Sequence, residues 1–263
     1  MLITSVVLFF CLGTILGSFG SAIIYRLKTA DSNFWHGRSL CPNCQKTLQA
    51  KSLIPILSYI YQKGSCLNCQ KPIPKFYLIN EICAGLLFAH LGYQLLSPAS
   101  SLTSTGSIAF TILIFFLVFT GYLITIFDAR YQLIPDIFSY TFIVLAFASG
   151  LFINENIYEQ IFGSIIAGGF FTLQFFLSKG RMIGSGDIFL GIGLGLLLGI
   201  ENSIVALMLS YIGGSIWGIG LILGKKANRK SAIAFGPFLM LGTYLSLNYG
   251  QDLYNWFTTF YFF

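Results

Sequence analysis

The run IAFTILIFFLVFTGYLITIF, residues 108–127, carries 20 residues without a charge and stops at Asp128-Ala129-Arg130. At the ~1.5 Å rise of an α-helix it matches the ~30 Å hydrocarbon core of a bilayer. A helix apolar on every side belongs in lipid or at the centre of a large core. Seven more apolar runs flank it: Leu2 to Tyr25, Leu78 to Leu96, Ile137 to Ile153, Gln160 to Ser178, Asp187 to Ile200, Ser203 to Leu223 and Ala232 to Asn248. The 263 residues are 56% apolar and only 9% charged, against ~25% charged in a soluble domain. With 27 Phe and a mean hydropathy of +0.78, disorder is excluded as well. The expected fold is an all-α polytopic membrane protein of about eight transmembrane helices.

Charge placement orients it. The first run has no Lys or Arg before Arg26, so it lacks the basic start of a cleavable signal and reads as a retained helix with its N-terminus outside. Threading from there puts the connections 26–77, 128–136, 179–186 and 224–231 in the cytoplasm, and all 15 Lys and Arg fall in them. The opposite face carries acids alone, Glu155, Glu159, Glu201 and Asp252, as the positive-inside rule requires. The basic loops read as orientation signals and contacts to membrane lipid, with no nucleic-acid role.

The first connection is far longer than the rest and holds Cys41-Pro-Asn-Cys44, 21 residues, then Cys66-Leu-Asn-Cys69. Two Cys-x-x-Cys knuckles present four thiolates to one Zn²⁺, and in a reducing cytoplasm disulfides are the weaker explanation. Four protein ligands leave no open position, so the metal is structural. The division is a first transmembrane helix at 1–25, a small cytoplasmic zinc-binding domain with four cysteine ligands at 26–77, between the first and second helices, and a transmembrane core at 78–263. Cys11 and Cys83 read as small buried hydrophobes. His36 and His90 have no paired ligand nearby and are assigned nothing.

Acids near the cytoplasmic helix ends are the candidates for chemistry. The sixth run offers only 13 apolar residues from Ile188 to Ile200, so counting back a full span starts the crossing near Arg181 and buries Asp187 inside it. An ionisable residue there is a functional candidate by default. Asp128, ending the third run, can reach the same layer. Two facing carboxyls in a partly dry site share a proton, so one can act as base on a water while the other polarises a carbonyl. The plainer alternative is that Asp128 sits in the interfacial layer and Asp187 caps a helix; Asp136, after Pro135, reads as a cap. Gly191, Gly195 and Gly199 repeat at i+4, as do Gly214 and Gly218, which reads as close helix packing. No Walker loop, dinucleotide fingerprint or Gly-x-Ser-x-Gly elbow occurs.

Over most of its length this order of features resembles the type 4 prepilin peptidases, membrane aspartic proteases with a Gly-x-Gly-Asp motif. The resemblance is carried by Gly17-Ser18-Phe19 with Ile24-Tyr25-Arg26, the paired knuckles, Ile54-Pro55-Ile56, Tyr77 with Glu81, Gly184-Ser185-Gly186-Asp187, and Phe235-Gly236-Pro237-Phe238. It implies catalytic aspartates at Asp128 and Asp187, and structural zinc on Cys41, Cys44, Cys66 and Cys69. It also implies cleavage of the basic leader from type IV pilin-like precursors at the cytoplasmic membrane face, after a Gly and before a usually aromatic residue. Many members also methylate the new N-terminus with S-adenosylmethionine. Two positions depart from the pattern: Ser21 stands where the family commonly has Asn, and Phe189 where it often has Lys. Both weigh against methylation rather than cleavage, and they suit a divergent branch such as a Gram-positive competence or pseudopilus peptidase. Preflagellin and presenilin-like proteases share the Asp pair but generally lack the four-Cys loop. A proton-coupled transporter would place its acids near the midplane between inverted repeats, which are absent here. A non-enzymatic zinc-stapled scaffold is the remaining alternative.

Overall fold

The structure, a computed structural model, describes residues 2–28, 37–97, 107–154, 156–181, 183–226, 228, 231 and 233–261. His36, Glu155, Arg229, Lys230 and the expected start of the last run at Ala232 lie outside them. The helices are α1 (Leu2–Lys28), α2 (Leu57–Tyr61), α3 (Lys75–Leu96), α4 (Ile108–Tyr131), α5 (Asp136–Ile153), α6 (Ile157–Ser178), α7 (Ser185–Leu223) and α8 (Gly236–Tyr261). No strand occurs among the described residues, only isolated antiparallel bridges at Leu40 with Thr47 and Ser65 with Pro72. Six helices, α1 and α3 to α7, are long and apolar enough to cross a membrane. The chain is an all-helical, multi-pass membrane protein, and it packs as two units, Met1–Thr103 and Ser104–Phe263.

In the first unit α1 lies against α3 with almost nothing between the backbones. A Cβ on Gly13 would stand 2.6 Å from the Ala84 carbonyl oxygen, and one on Gly92 would stand 2.5 Å from the Phe9 ring. Lipid supplies no hydrophobic drive between helices, so small residues that let backbones touch supply the attraction instead. Across this seam the buried Asn80 amide donates to the Gly17 carbonyl at 2.8 Å and to the Ser21 hydroxyl at 2.7 Å. Cys11 and Cys83 are exposed on the outer faces of these helices, not buried as their apolar surroundings in sequence suggest. In lipid an outward thiol is still among apolar neighbours, which is why hydropathy alone cannot tell the two placements apart.

The second unit is organised around α7. The sequence reading separates spans at 187–200 and 203–223, and Ser185–Leu223 is indeed two helical arms, joined at Gly199 with φ 73° and ψ −166°. Helical rise would put Gly191 and Tyr211 about 30 Å apart. Yet a Cβ on Gly191 would meet the Phe171 ring, while the Tyr211 ring lies 5.7 Å from Phe170. Both arms therefore return to the same stretch of α6, and the chain reverses at Gly199. Of the Gly191, Gly195, Gly199 repeat, the first two are close-packing positions. The third is there for its backbone, since a side chain at that φ is strained. Gly214 makes only ordinary contact with Phe235 and Phe238, so tight packing fails as its explanation.

Gly195 faces the Gly163 carbonyl of α6 with no room for a methyl group. Gly195→Ala is expected to force α6 and α7 apart and destabilise the unit by about 1–3 kcal/mol. The readout is a lower unfolding midpoint in detergent micelles.

Candidate active site and metal centre

Asp128 sits on the last turns of α4, just before the helix ends at the left-handed Gln132 (φ 53°). It is 5% exposed. Its Oδ2 accepts the backbone N–H of Gly236, the first residue of α8, at 2.8 Å. A helix start offers unpaired N–H groups and a partial positive charge, so it suits a carboxylate. The residue before it is locked by rings: Phe235 lies 6.0 Å from Phe171 and 5.0 Å from Tyr211. A Cβ on Gly236 would come within 2.8 Å of Asp128 Oδ2.

Asp187 is the third residue of α7 and 7% exposed. Its Oδ2 accepts the Gly184 N–H at 3.1 Å, while its own N–H donates to the Gly184 carbonyl at 3.2 Å. The cap reading and the buried-acid reading thus hold together. The helix starts at Ser185 rather than near Arg181, so Asp187 lies in its first turn. Gly186 lets Ile134 approach: a Cβ there would lie 3.0 Å from the Ile134 Cβ. Asp187 is within electrostatic reach of Asp128 and of the Tyr211 hydroxyl, which donates to Gln174 Oε1 at 2.8 Å. Asp136 is the first residue of α5 and makes no side-chain cap, so its contribution is charge near a helix start.

The candidate aspartates are therefore brought to one place, each tied through Oδ2 to a backbone N–H at a helix start. Two neighbours, Gly236 and Tyr211, escape a motif-by-motif reading of the acids. The Phe235-Gly236-Pro237-Phe238 string is the available signal for the first; Tyr211 has none, because only the reversal at Gly199 brings it back beside Asp187.

The four cysteines form a second centre within the first unit. Each knuckle folds the same way: Gln45 and Gln70 donate to the Cys41 and Cys66 carbonyls at 2.8 and 2.9 Å, and both adopt a left-handed turn (φ 55° and 56°). The segments Cys41-Pro-Asn-Cys-Gln-Lys46 and Cys66-Leu-Asn-Cys-Gln-Lys71 are thus a repeat in sequence and in shape. The four Sγ atoms all lie within 4.8 Å of one another, with Cys41 and Cys69 at 3.9 Å. A tetrahedron with ~2.3 Å metal–sulfur bonds has edges of about 3.8 Å, so the donor set fits a thiophilic ion. Backbone N–H groups of Cys69 and Asn68 hold the Cys66 thiol down at about 7. Cys69 goes the other way: although the Lys71 N–H favours its thiolate, burial and the neighbouring thiols push it up to about 11. A cation among them would resolve that crowding by taking up the thiolates.

Comparison with known proteins places these centres in two matched segments. Residues 11–95, with the four cysteines, match a family model described as the bacterial peptidase A24 N-terminal domain. Residues 115–219, with Asp128 and Asp187, match the type IV leader peptidase family. A Bacillus subtilis protein named prepilin leader peptidase/N-methyltransferase is 28% identical over 253 residues, covering 94% of this chain and 96% of its own. Proteins of the same name from Aeromonas hydrophila and Pseudomonas aeruginosa are 26% and 24% identical, covering 96% and 92% of this chain and 93% and 89% of their own. No solved structure matches.

Proposed function

This chain belongs to the type IV leader peptidase family, and we propose that it removes the leader from type IV pilin-like precursors through Asp128 and Asp187. The observation that carries the mechanism is the buried carboxyl pair, each member oriented by one backbone N–H. One carboxyl, ionised, takes a proton from a water held between the pair, and the hydroxide forms a bond to the carbonyl carbon of the scissile peptide. The other, protonated, donates to the carbonyl oxygen. When the resulting diol collapses, the C–N bond breaks and the departing nitrogen takes a proton from the dyad.

The site faces the cytoplasm in this reading, because the basic residues gather on the connections beside the Asp-bearing helix ends. The first arm of α7 has 14 residues before its reversal, about 21 Å at helical rise, and this supports a site recessed below the membrane surface. Zinc is the ion that suits four cytoplasmic thiols, and its part is to hold the knuckle module together. Relatives' names also carry N-methyltransferase. On that reading S-adenosylmethionine, when bound, would supply the methyl group for the new α-amine.

The test is to incubate detergent-purified protein with a type IV pilin precursor, with and without S-adenosylmethionine, and weigh the product. Loss of the leader peptide supports the peptidase, and a gain of one methyl group supports the second activity. Intact precursors from several pilus and competence systems would overturn it. A finer prediction concerns Gly236→Ala, whose Cβ would push on Asp128 Oδ2. Turning that carboxyl by about 1 Å should slow cleavage ~10²-fold with little change in KM.

A further inference from the structure

We propose that the knuckle module does not hang free in the cytosol but rides in the membrane interface, with the apolar face of α2 set among the lipids of an anionic cytoplasmic leaflet. Leu57, Ile60 and Tyr61 stand on one side of α2, at i, i+3 and i+4, and they are 65%, 63% and 78% exposed. Leu53 and Ile54, just before the helix, are exposed as well. The polar residues go the other way. Gln62 is 8% exposed, and with Ser58 it lines a cavity that Ser18 and Ser21 of α1 also line. In water a helix buries its apolar side, so a segment with an amide and a hydroxyl inside and Leu, Ile and Tyr outside suits surroundings that are not water.

The depth of α2 fits this. Ile56, the residue before the helix, donates its N–H at 2.7 Å to Oε2 of Glu81 on α3. Since α3 begins at Lys75, Glu81 lies six residues into it, about 9 Å along at helical rise. α3 is long and apolar enough to cross a membrane, so α2 is pinned beside its first turns rather than held out beyond its end. Amphipathic surface helices lie in that same layer, their apolar face roughly 5–10 Å into the boundary between headgroups and acyl chains.

Charge selects the lipid. Between Asp31 and Glu81 the sequence has no acid, while Arg38, Lys46, Lys51, Lys63, Lys71 and Lys75 are all exposed. Lys51 and Lys63 bracket the apolar stripe in sequence. Lysines of this kind meet lipid phosphates while their stems, together with the stripe, enter the acyl boundary. Tyr61, an apolar ring with a hydroxyl tip, is the residue type enriched at that level. A precursor whose leader is basic would meet like charge here, so the leaflet is the better occupant.

The test places the full chain in nanodiscs of phosphatidylcholine, alone or with roughly one-third phosphatidylglycerol, each doped with a phospholipid that carries a photoreactive group in its acyl chain. Trypsin cutting after Lys51 and Lys63 releases residues 52–63, so label on the stripe is read from one peptide. Wild type should carry label there, about fivefold more with phosphatidylglycerol, and should lose that excess as salt rises to about 1 M. Leu57→Ser with Ile60→Ser should remove the label while zinc content and the labelling of α4 to α8 hold. Lys51→Gln with Lys63→Gln should abolish only the excess. An unlabelled 52–63 peptide in both lipids would overturn the docking, and equal label in both would overturn the choice of an anionic leaflet. These two outcomes are read on wild type, so they survive a variant that fails to fold. If the Ser variant instead weakens capture of a pilin precursor or of a second copy of the chain in detergent, where no leaflet exists, the face docks protein and the lipid assignment is wrong.

Discussion

Asp187→Asn is expected to leave a folded, membrane-embedded protein that cleaves precursor at least ~10³-fold more slowly than wild type. Asn has the shape of Asp and can still accept the Gly184 N–H that Asp187 accepts at 3.1 Å, so the first turn of α7 keeps its cap. What is lost is the ability to take or hold a proton. Asp128→Asn keeps an acceptor for the Gly236 N–H in the same way and should fall as far. On the proposed mechanism the two carboxyls act as one unit, so the double variant should be barely slower than either single one. Single-turnover leader removal, read by mass and set beside unfolding midpoints, decides it. A folded Asn variant that cleaves at the wild-type rate would remove that residue from the chemistry.

The second large effect is expected at the knuckles. Cys66→Ser should release the bound ion and unfold the module around it, with zinc content falling from near one per chain toward zero. Structural zinc sites of this kind carry on the order of 10 kcal/mol of binding energy, and that energy is also folding energy. Among its described residues the module has little else: the regular structure there is α2, a 3-10 turn at Ala50–Ser52, and two isolated bridges. Hydrogen exchange should show loss of protection over 38–73 while α4 to α8 keep theirs. Unchanged protection in a zinc-free variant would mean that hydrogen bonds alone hold the knuckles.

The centres legible in the sequence are those whose chemistry restricts the residue type. Four thiols in two Cys-x-x-Cys pairs and an acid beside Gly184 and Gly186 can be read one letter at a time. The all-helical membrane fold is equally open, because 20 uncharged residues before Asp128 have few other uses. What stays hidden depends on three dimensions. The contact of Gly236 with Asp128 joins positions 108 apart. The start of α7 at Ser185 follows from a local cap that a hydropathy count overlooks. The outward thiols of Cys11 and Cys83 cannot be told from buried ones, since lipid and protein interior are alike to a hydropathy scale. Gly199 stands out by its spacing, but its purpose is its backbone angle.

That reversal bears on how the protein is made. An arm of 14 residues is too short to be accepted into a bilayer by itself, so it has to enter together with its returning partner, as a hairpin. The donor that steadies Asp128 arrives later still, on α8, after the hairpin has been synthesised. A nascent chain therefore carries both acids before Asp128 has its backbone donor, and on the proposed mechanism the pair is complete only when the last helix docks.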